Sequence, residues 1–176
     1  MKLTRLERWV ISNQLKMLEA LYPDDVEFYA QKRKAIECGY EMHYSWACEH
    51  IYKDDSIMSI DECKEVLEIL EMFDSITNSY SSIKDKSGID KKDVKFPGFD
   101  GNSEGKYMSY ARYFCSLDGG RFVSITKDTD LNSHFPTLTI YRRMLNEWNK
   151  SKNKFNLSKS EIIDIIKSRY TQKGEK

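Results

Sequence analysis

The sequence predicts an all-α protein: a single-domain bundle of about six or seven helices around a long central helix, with room for one short β-hairpin near 115–126. Three observations predict it. Ser/Thr-x-x-Glu capping boxes stand at Thr4/Glu7, Ser59/Glu62 and Ser158/Glu161, each fixing the start of a helix by reciprocal side-chain bonds. Apolar residues from Cys63 to Ile83 recur at three- and four-residue steps, the spacing of one helix face. Only Arg121–Ile125, which follows a glycine pair, reads as a short β-favouring run.

Behind the Thr4/Glu7 box, Leu6, Trp9, Val10, Met17, Leu18 and Leu21 run as an apolar stripe toward Pro23, so helix one spans about 5–21. Asn13 falls on or beside that stripe, where its amide either bonds a neighbouring backbone and fixes helix register or, with Gln14, meets a ligand. A second helix over about 25–38 takes Asp24 as cap with Glu27, buries Val26, Tyr29, Ala30 and Ile36, and stops at Gly39. From Tyr40 to Tyr52 an aromatic-rich segment puts His43, Trp46, Ala47 and His50 on one face if helical, and Lys53, Asp54 and Asp55 form a surface turn.

The central helix, Ser59 to Ile83, buries Val66, Leu67, Leu70, Phe73, Ile76 and Tyr80, while Asp61, Lys64, Glu65, Glu68 and Glu71 make a solvated arc. Lys84 to Asp93 reads as an exposed, mobile loop, and Val94 to Asp100 as a turn at Pro97 and Gly98 pinned by Phe96 and Phe99. Asp100, Asn102 or Ser103 caps a helix whose Tyr107, Tyr110, Ala111 and Phe114 face inward, up to a turn at Asp118, Gly119 and Gly120. Pro136 opens a helix burying Leu138, Tyr141, Met144, Leu145 and Trp148. The Ser158/Glu161 box opens the last helix, with Ile162, Ile163, Ile165 and Ile166, before a tail that frays from Thr171.

Acidic and basic residues balance at 28 each in 176 residues, so no global field draws the chain to nucleic acid or to an anionic membrane. No apolar run approaches the ~20 residues of a membrane span, and Arg5, Glu7 and Arg8 rule out signal-peptide character; the reading is cytoplasmic, with no membrane partner. Four cysteines without C-x-x-C pairing read as reduced, mostly buried thiols. His43 and His50, with Cys38 and Cys48 nearby, lack zinc spacing, since two helical turns separate the histidines by about 10 Å. Without Glu-x-x-His there is no di-metal carboxylate pattern either, so no metal and no cofactor are expected. Glycine-rich phosphate loops, H-E-x-x-H, G-x-S-x-G and the Arg/His spacing of HEPN ribonucleases are all missing.

Taken together, the segments I-S-N-Q-L-K-M at 11–17, I-E-C-G-Y at 36–40, E-I-L-E-M-F at 68–73, G-F-D with E-G-K-Y-M-S-Y-A-R at 98–100 and 104–112, Y-R-R-M-L-N-E-W at 141–148 and L-S-K-S-E-I at 157–162 resemble the YfbU family of bacterial and archaeal proteins. The resemblance covers nearly the whole chain and implies one helical domain over 1–170 with a tail at 171–176. It supplies no catalytic residue to carry over. The stretch 41–58 departs from the family pattern, so His43 and His50 take nothing from it.

The favoured reading is a non-enzymatic interaction or regulatory module that self-associates, a homodimer or a complex with another protein. Eleven tyrosines and three tryptophans exceed what a small helical core needs, and such rings are enriched at interfaces. An alternative is nucleic-acid binding through the C-terminal region, where from Arg142 onward ten basic residues stand against four acidic, a balance of plus six. A further alternative is an enzyme whose helical pocket is lined by Asn13, Gln14, Tyr107, Arg112 and Arg143.

Overall fold

A computed structural model describes residues 1–53, 56–117, 119–127 and 129–170. The Asp54 and Asp55 part of the predicted surface turn, Asp118 of the glycine turn, and the tail from Thr171 lie outside these residues. The fold is all-α, and the chain gathers about two compact units, Met1–Ile57 and Met58–Lys176.

In the first unit, α1 (Arg5–Leu21) starts at the expected box: the Thr4 side chain accepts the Glu7 N–H, and Glu7 answers from the Thr4 N–H at 2.7 Å. A 3₁₀ turn, Pro23–Asp25, replaces the predicted Asp24 cap, because Pro at the first position suits the tighter turn, and α2 (Val26–Cys38) follows without a side-chain cap. Gly39 ends α2 in the left-handed region at φ 75°, as expected. Glu41–Cys48 is a 3₁₀ helix that turns Tyr44 inward.

The small core joins Leu15, Ile36 and Tyr44, with Ile11 and Leu18 packed beside them. This corrects the predicted inner face of α1. Its centre lies at Leu15 and Ser12, roughly opposite the stripe of Leu6, Trp9, Val10, Met17 and Leu21, which is exposed. Arg33 clamps the pair of helices through a two-pronged bond to Glu19 (2.6 and 3.2 Å) and a third bond to Glu37 (3.0 Å). Ser12 also donates to Glu37, at 2.7 Å, and holds its carboxyl below the usual range. The thiols differ from expectation: Cys38 is exposed, while Cys48, Cys63 and Cys115 are half-buried.

The second unit is built on α3 (Ile60–Ser82), capped by Ser59 and Glu62. Val66, Ile69, Leu70, Met72, Phe73 and Ile76 have no solvent exposure at all, so the apolar arc is wider than predicted, while Leu67 is half-buried. Four helices sheathe it: α4 (Gly105–Leu117), α5 (Val123–Thr126), α6 (Leu138–Trp148) and α7 (Lys159–Lys167), the last opening on the Ser158/Glu161 box. The predicted hairpin near 115–126 is absent among the described residues. Val123–Thr126 is one helical turn, since this conformation sends both Phe122 and Ile125 into the core, whereas a strand would alternate its side chains between faces.

Phe73, Phe96, Phe99 and Tyr141 form an aromatic knot with ring centroids 5.0–5.9 Å apart. The Phe96–Phe99 turn is thus pinned as expected. Gly98 sits there at φ 95° with its Cα so close to the Leu131 carbonyl that a Cβ would overlap it. Phe99 pairs with the same strip of chain, donating to Leu131 (2.9 Å) and accepting from Ser133 (3.0 Å). The 84–93 segment is held rather than free: Ile89 is buried, and Lys159 of α7 reaches both Asp85 and Ser87 at 2.7 Å.

Candidate interaction surface

In the first unit, the outward side of α1 combines large apolar side chains with one amide. Leu6 is 67% exposed, Trp9 63%, Met17 58% and Leu21 70%, values found in isolated surface residues but here belonging to a single continuous row. Leu6, Val10, Asn13, Met17 and Ala20 follow one another at steps of four, three, four and three, the seam pattern of helix pairs. Asn13 is half-buried, and its amide has no partner among the described residues. It stands eight residues from either end of Arg5–Leu21, at the helix midpoint. Beside it a shallow groove of about 340 Å³ is walled by Arg5, Arg8 and Lys16. Gln14 points to solvent without a partner among the described residues.

The other residues predicted for a pocket lie in the second unit and have separate employment. Tyr107 donates to Glu65 at 3.0 Å, and Arg142 grips the same carboxylate with two prongs at 2.7 and 2.9 Å. Arg142, and next the Tyr107 hydroxyl, hold the Glu65 carboxyl below its usual range against the opposing effect of burial. Burial, reinforced by that carboxylate, pushes the Tyr107 phenol up to about 12. The cluster is therefore locked in one protonation state near neutrality: a phenol that stays protonated and a carboxylate that stays charged. Arg112 spends its donors on the Asp130 carbonyl (2.9 and 2.5 Å), and Arg143 on the Ser168 and Arg169 carbonyls.

The acidic arc of α3 differs from a plain solvated face. Besides Glu65, Glu71 pairs with Arg121, and Asp74 accepts from Ser124 at 2.5 Å, so the arc is the line along which α5 and α6 fasten to α3. Several basic residues from Arg142 onward are likewise turned to internal use. Lys150 bonds Glu147, Lys159 bonds Asp85, and Arg169 bonds Asp93.

Glu104 was missed by sequence reasoning, which looked to Asp100, Asn102 and Ser103 for the cap. Asp100 does accept from the Asn102 and Ser103 N–H groups. Glu104 turns the other way, into the interior. Its Oε1 accepts from the N–H of Thr137 (2.7 Å) and Leu138 (2.8 Å), its Oε2 from the N–H of Asp100 (3.0 Å) and the Thr137 hydroxyl (2.7 Å). A side chain 33 residues away thus closes the start of α6, and no local pattern announces it.

The YfbU domain description matches residues 1–168. The chain belongs to the YfbU family. The match runs through both units. Among the described residues, no group of three or more His, Cys, Asp or Glu side chains is placed to hold a metal ion, and no helix is long and apolar enough to cross a membrane.

Proposed function

We propose that this YfbU protein is a cytoplasmic interaction module, without an enzymatic activity of its own, that pairs with a second copy of itself along the outward seam of α1. The observation that carries the reading is the exposed row of Leu6, Val10, Met17 and Leu21 with an unpartnered amide at its centre. An apolar row of this length in water forfeits about 25 cal/mol for each Å² left uncovered. The amide argues for a copy of the same chain as the cover. An Asn side chain is both donor and acceptor, so two of them satisfy each other, and a two-fold axis places identical residues face to face. In an antiparallel pair centred on the helix midpoint, Asn13 meets Asn13 while Leu6 falls opposite Ala20 and Trp9 opposite Met17. A register slipped by one turn would bury both amides against hydrocarbon, at a cost of roughly 1–3 kcal/mol each.

The basic C-terminal region supports the nucleic-acid alternative less, because Arg142, Lys150, Lys159 and Arg169 already hold carboxylates. The test is light scattering on the eluting protein, at micromolar concentration. The expected mass is twice the 20.7 kDa of one chain, falling to one chain in Leu6→Glu and Met17→Glu. In a Cys38→Ser background, Asn13→Cys should cross-link to itself under mild oxidation. A monomeric parent protein ends the proposal; a dimer that survives both glutamate substitutions moves the interface elsewhere.

A further inference from the structure

A concave site in the second unit has chemistry that neither the core nor the acidic arc uses. It opens between the C-terminal half of α3, the 86–96 segment and α5, with a volume of about 390 Å³, within the range of small-molecule sites. Lys86, Lys91, Lys95 and Lys127 stand around it, and among the described residues no carboxylate lines it. Along the sequence these lysines alternate with Asp85, Asp90 and Asp93, yet among the described residues the fold turns only the lysines toward the cavity.

Among the described residues the nearby acids have other partners: Asp90 accepts the Lys92 N–H at 2.9 Å and Asp130 the Asn132 N–H at 3.0 Å. Asp74 accepts from Ser124, Asp93 holds Arg169 at 3.1 Å, and Asp85 holds Lys159 at 2.7 Å. None of the four lysines forms an ion pair among the described residues. Lys86 is steadied instead over the Tyr80 ring, 4.7 Å from its centroid, a contact that orders its stem while leaving its charge uncompensated. Four like charges around a concavity repel one another and focus a positive potential into it. The floor is of another kind: Val94, Phe96 and Ile125 are buried there and present carbon to the cavity.

We infer that this cavity binds a phosphate-bearing small molecule of nucleotide type, its phosphates among the four ammonium groups and its flat, apolar body against the Val94–Phe96–Ile125 floor. Mobile lysines here take the place that fixed backbone amides hold in a glycine cradle, so the site needs no glycine-rich signature. The mixed wall favours a compact ligand over a nucleic-acid strand, because a strand needs an extended charged track and this charge is gathered around one hollow.

Isothermal titration of the full-length chain at low salt tests this with three probes: ATP, pyrophosphate as phosphate alone, and adenosine as body alone. ATP should bind more tightly than pyrophosphate, adenosine should give no heat, and Lys91→Ala and Lys127→Ala should each weaken ATP by about fivefold. Lys152→Ala, a control outside the cavity, should leave binding unchanged. All four lysines are exposed, so the variants keep the fold, which their circular dichroism verifies. The inference is overturned if ATP does not bind, if pyrophosphate equals ATP, or if the lysine variants bind like the parent. It is equally overturned if a single-stranded oligonucleotide is retained through these lysines while ATP is not.

Discussion

Replacing Glu104 by Gln removes a charge, changes almost no volume, and turns one acceptor oxygen into a donor. Four groups converge on the carboxylate, two on each oxygen, and Glu104 and Thr137 are both buried. In the least damaging orientation the new NH₂ replaces Oε2. The Thr137 hydroxyl then turns to the Gly98 carbonyl, to which it already lies at 3.3 Å, and only the Asp100 N–H is orphaned. One buried unsatisfied donor costs about 1–3 kcal/mol, and the two bonds left on Oε1 lose their charge assistance, so the sum is about 2–4 kcal/mol.

The assay follows the second unit alone: with Trp9 and Trp46 changed to Phe, Trp148 is the remaining tryptophan, buried in that unit's core. Urea unfolding at pH 7 should show a midpoint lowered by about 1–3 M. Acid provides an independent readout. Burial is the largest single influence and pushes the folded Glu104 carboxyl up, but the bonds from Leu138, Asp100 and Thr137 together outweigh it and hold that carboxyl below its ordinary value of 4.5. As pH falls past 4.5 the unfolded chain takes up the proton first, so this stabilisation, complete above that value, is lost down to the folded pKa. Glu104→Gln has no proton to take up there, so its stability should fall less steeply in that window. A midpoint shift under about 0.3 M would refute the reasoning, because it would mean water replaces the carboxylate without loss.

Other substitutions probe the same architecture. Gly98→Ala combines a left-handed φ of 95° with overlap on the Leu131 backbone, and should destabilise the second unit by more than about 3 kcal/mol in the same urea assay. Tyr141→Phe removes a 2.6 Å bond to the Gly98 carbonyl, which keeps Thr137 as a second donor; the loss should be about 1 kcal/mol, and no loss would mean the hydroxyl is incidental. Arg142→Ala opens the exposed half of the Glu65 clamp and should cost under about 1 kcal/mol by urea titration, a figure that 1 M salt should reduce further.

What was legible in the sequence was what is local. All three capping boxes form because their partners are three residues apart and compete with nothing distant. The Phe96–Phe99 turn was legible because Pro and Gly constrain the backbone whatever surrounds it. Arg121–Ile125 misled because β propensity is weak beside the gain from sinking Phe122 and Ile125 into the core, which one helical turn achieves. Long-range pairs were hidden in principle. Glu65 and Arg142 are 77 residues apart, and nothing near either distinguishes a clamp from two surface charges. The candidate pocket residues show the same limit: Arg112 and Arg143 looked free in sequence and hold backbone carbonyls in the fold. The four lysines of the cavity gave no signal, since they come from two separate stretches that only folding brings around one hollow.

The misreading of α1 bears on function more than the others. Its apolar residues fall into two distinct rows: Ile11, Leu15 and Leu18 in the small core, and Leu6, Val10, Met17 and Leu21 outward. Periodicity finds a face without saying what covers it, and it favours the larger row as the inner one. Yet a helix needing only to cover Ile36 and Tyr44 would be satisfied by the smaller row, with polar residues outside. The outward row leaves between 43% and 70% of each of these side chains in water, an apolar surface that invites association. In the proposed dimer the amide at its midpoint would act against indiscriminate closure, because it penalises every apolar partner that brings no donor and acceptor to that one point. Under the proposed pairing, a second α1 reversed about Asn13 would bring both.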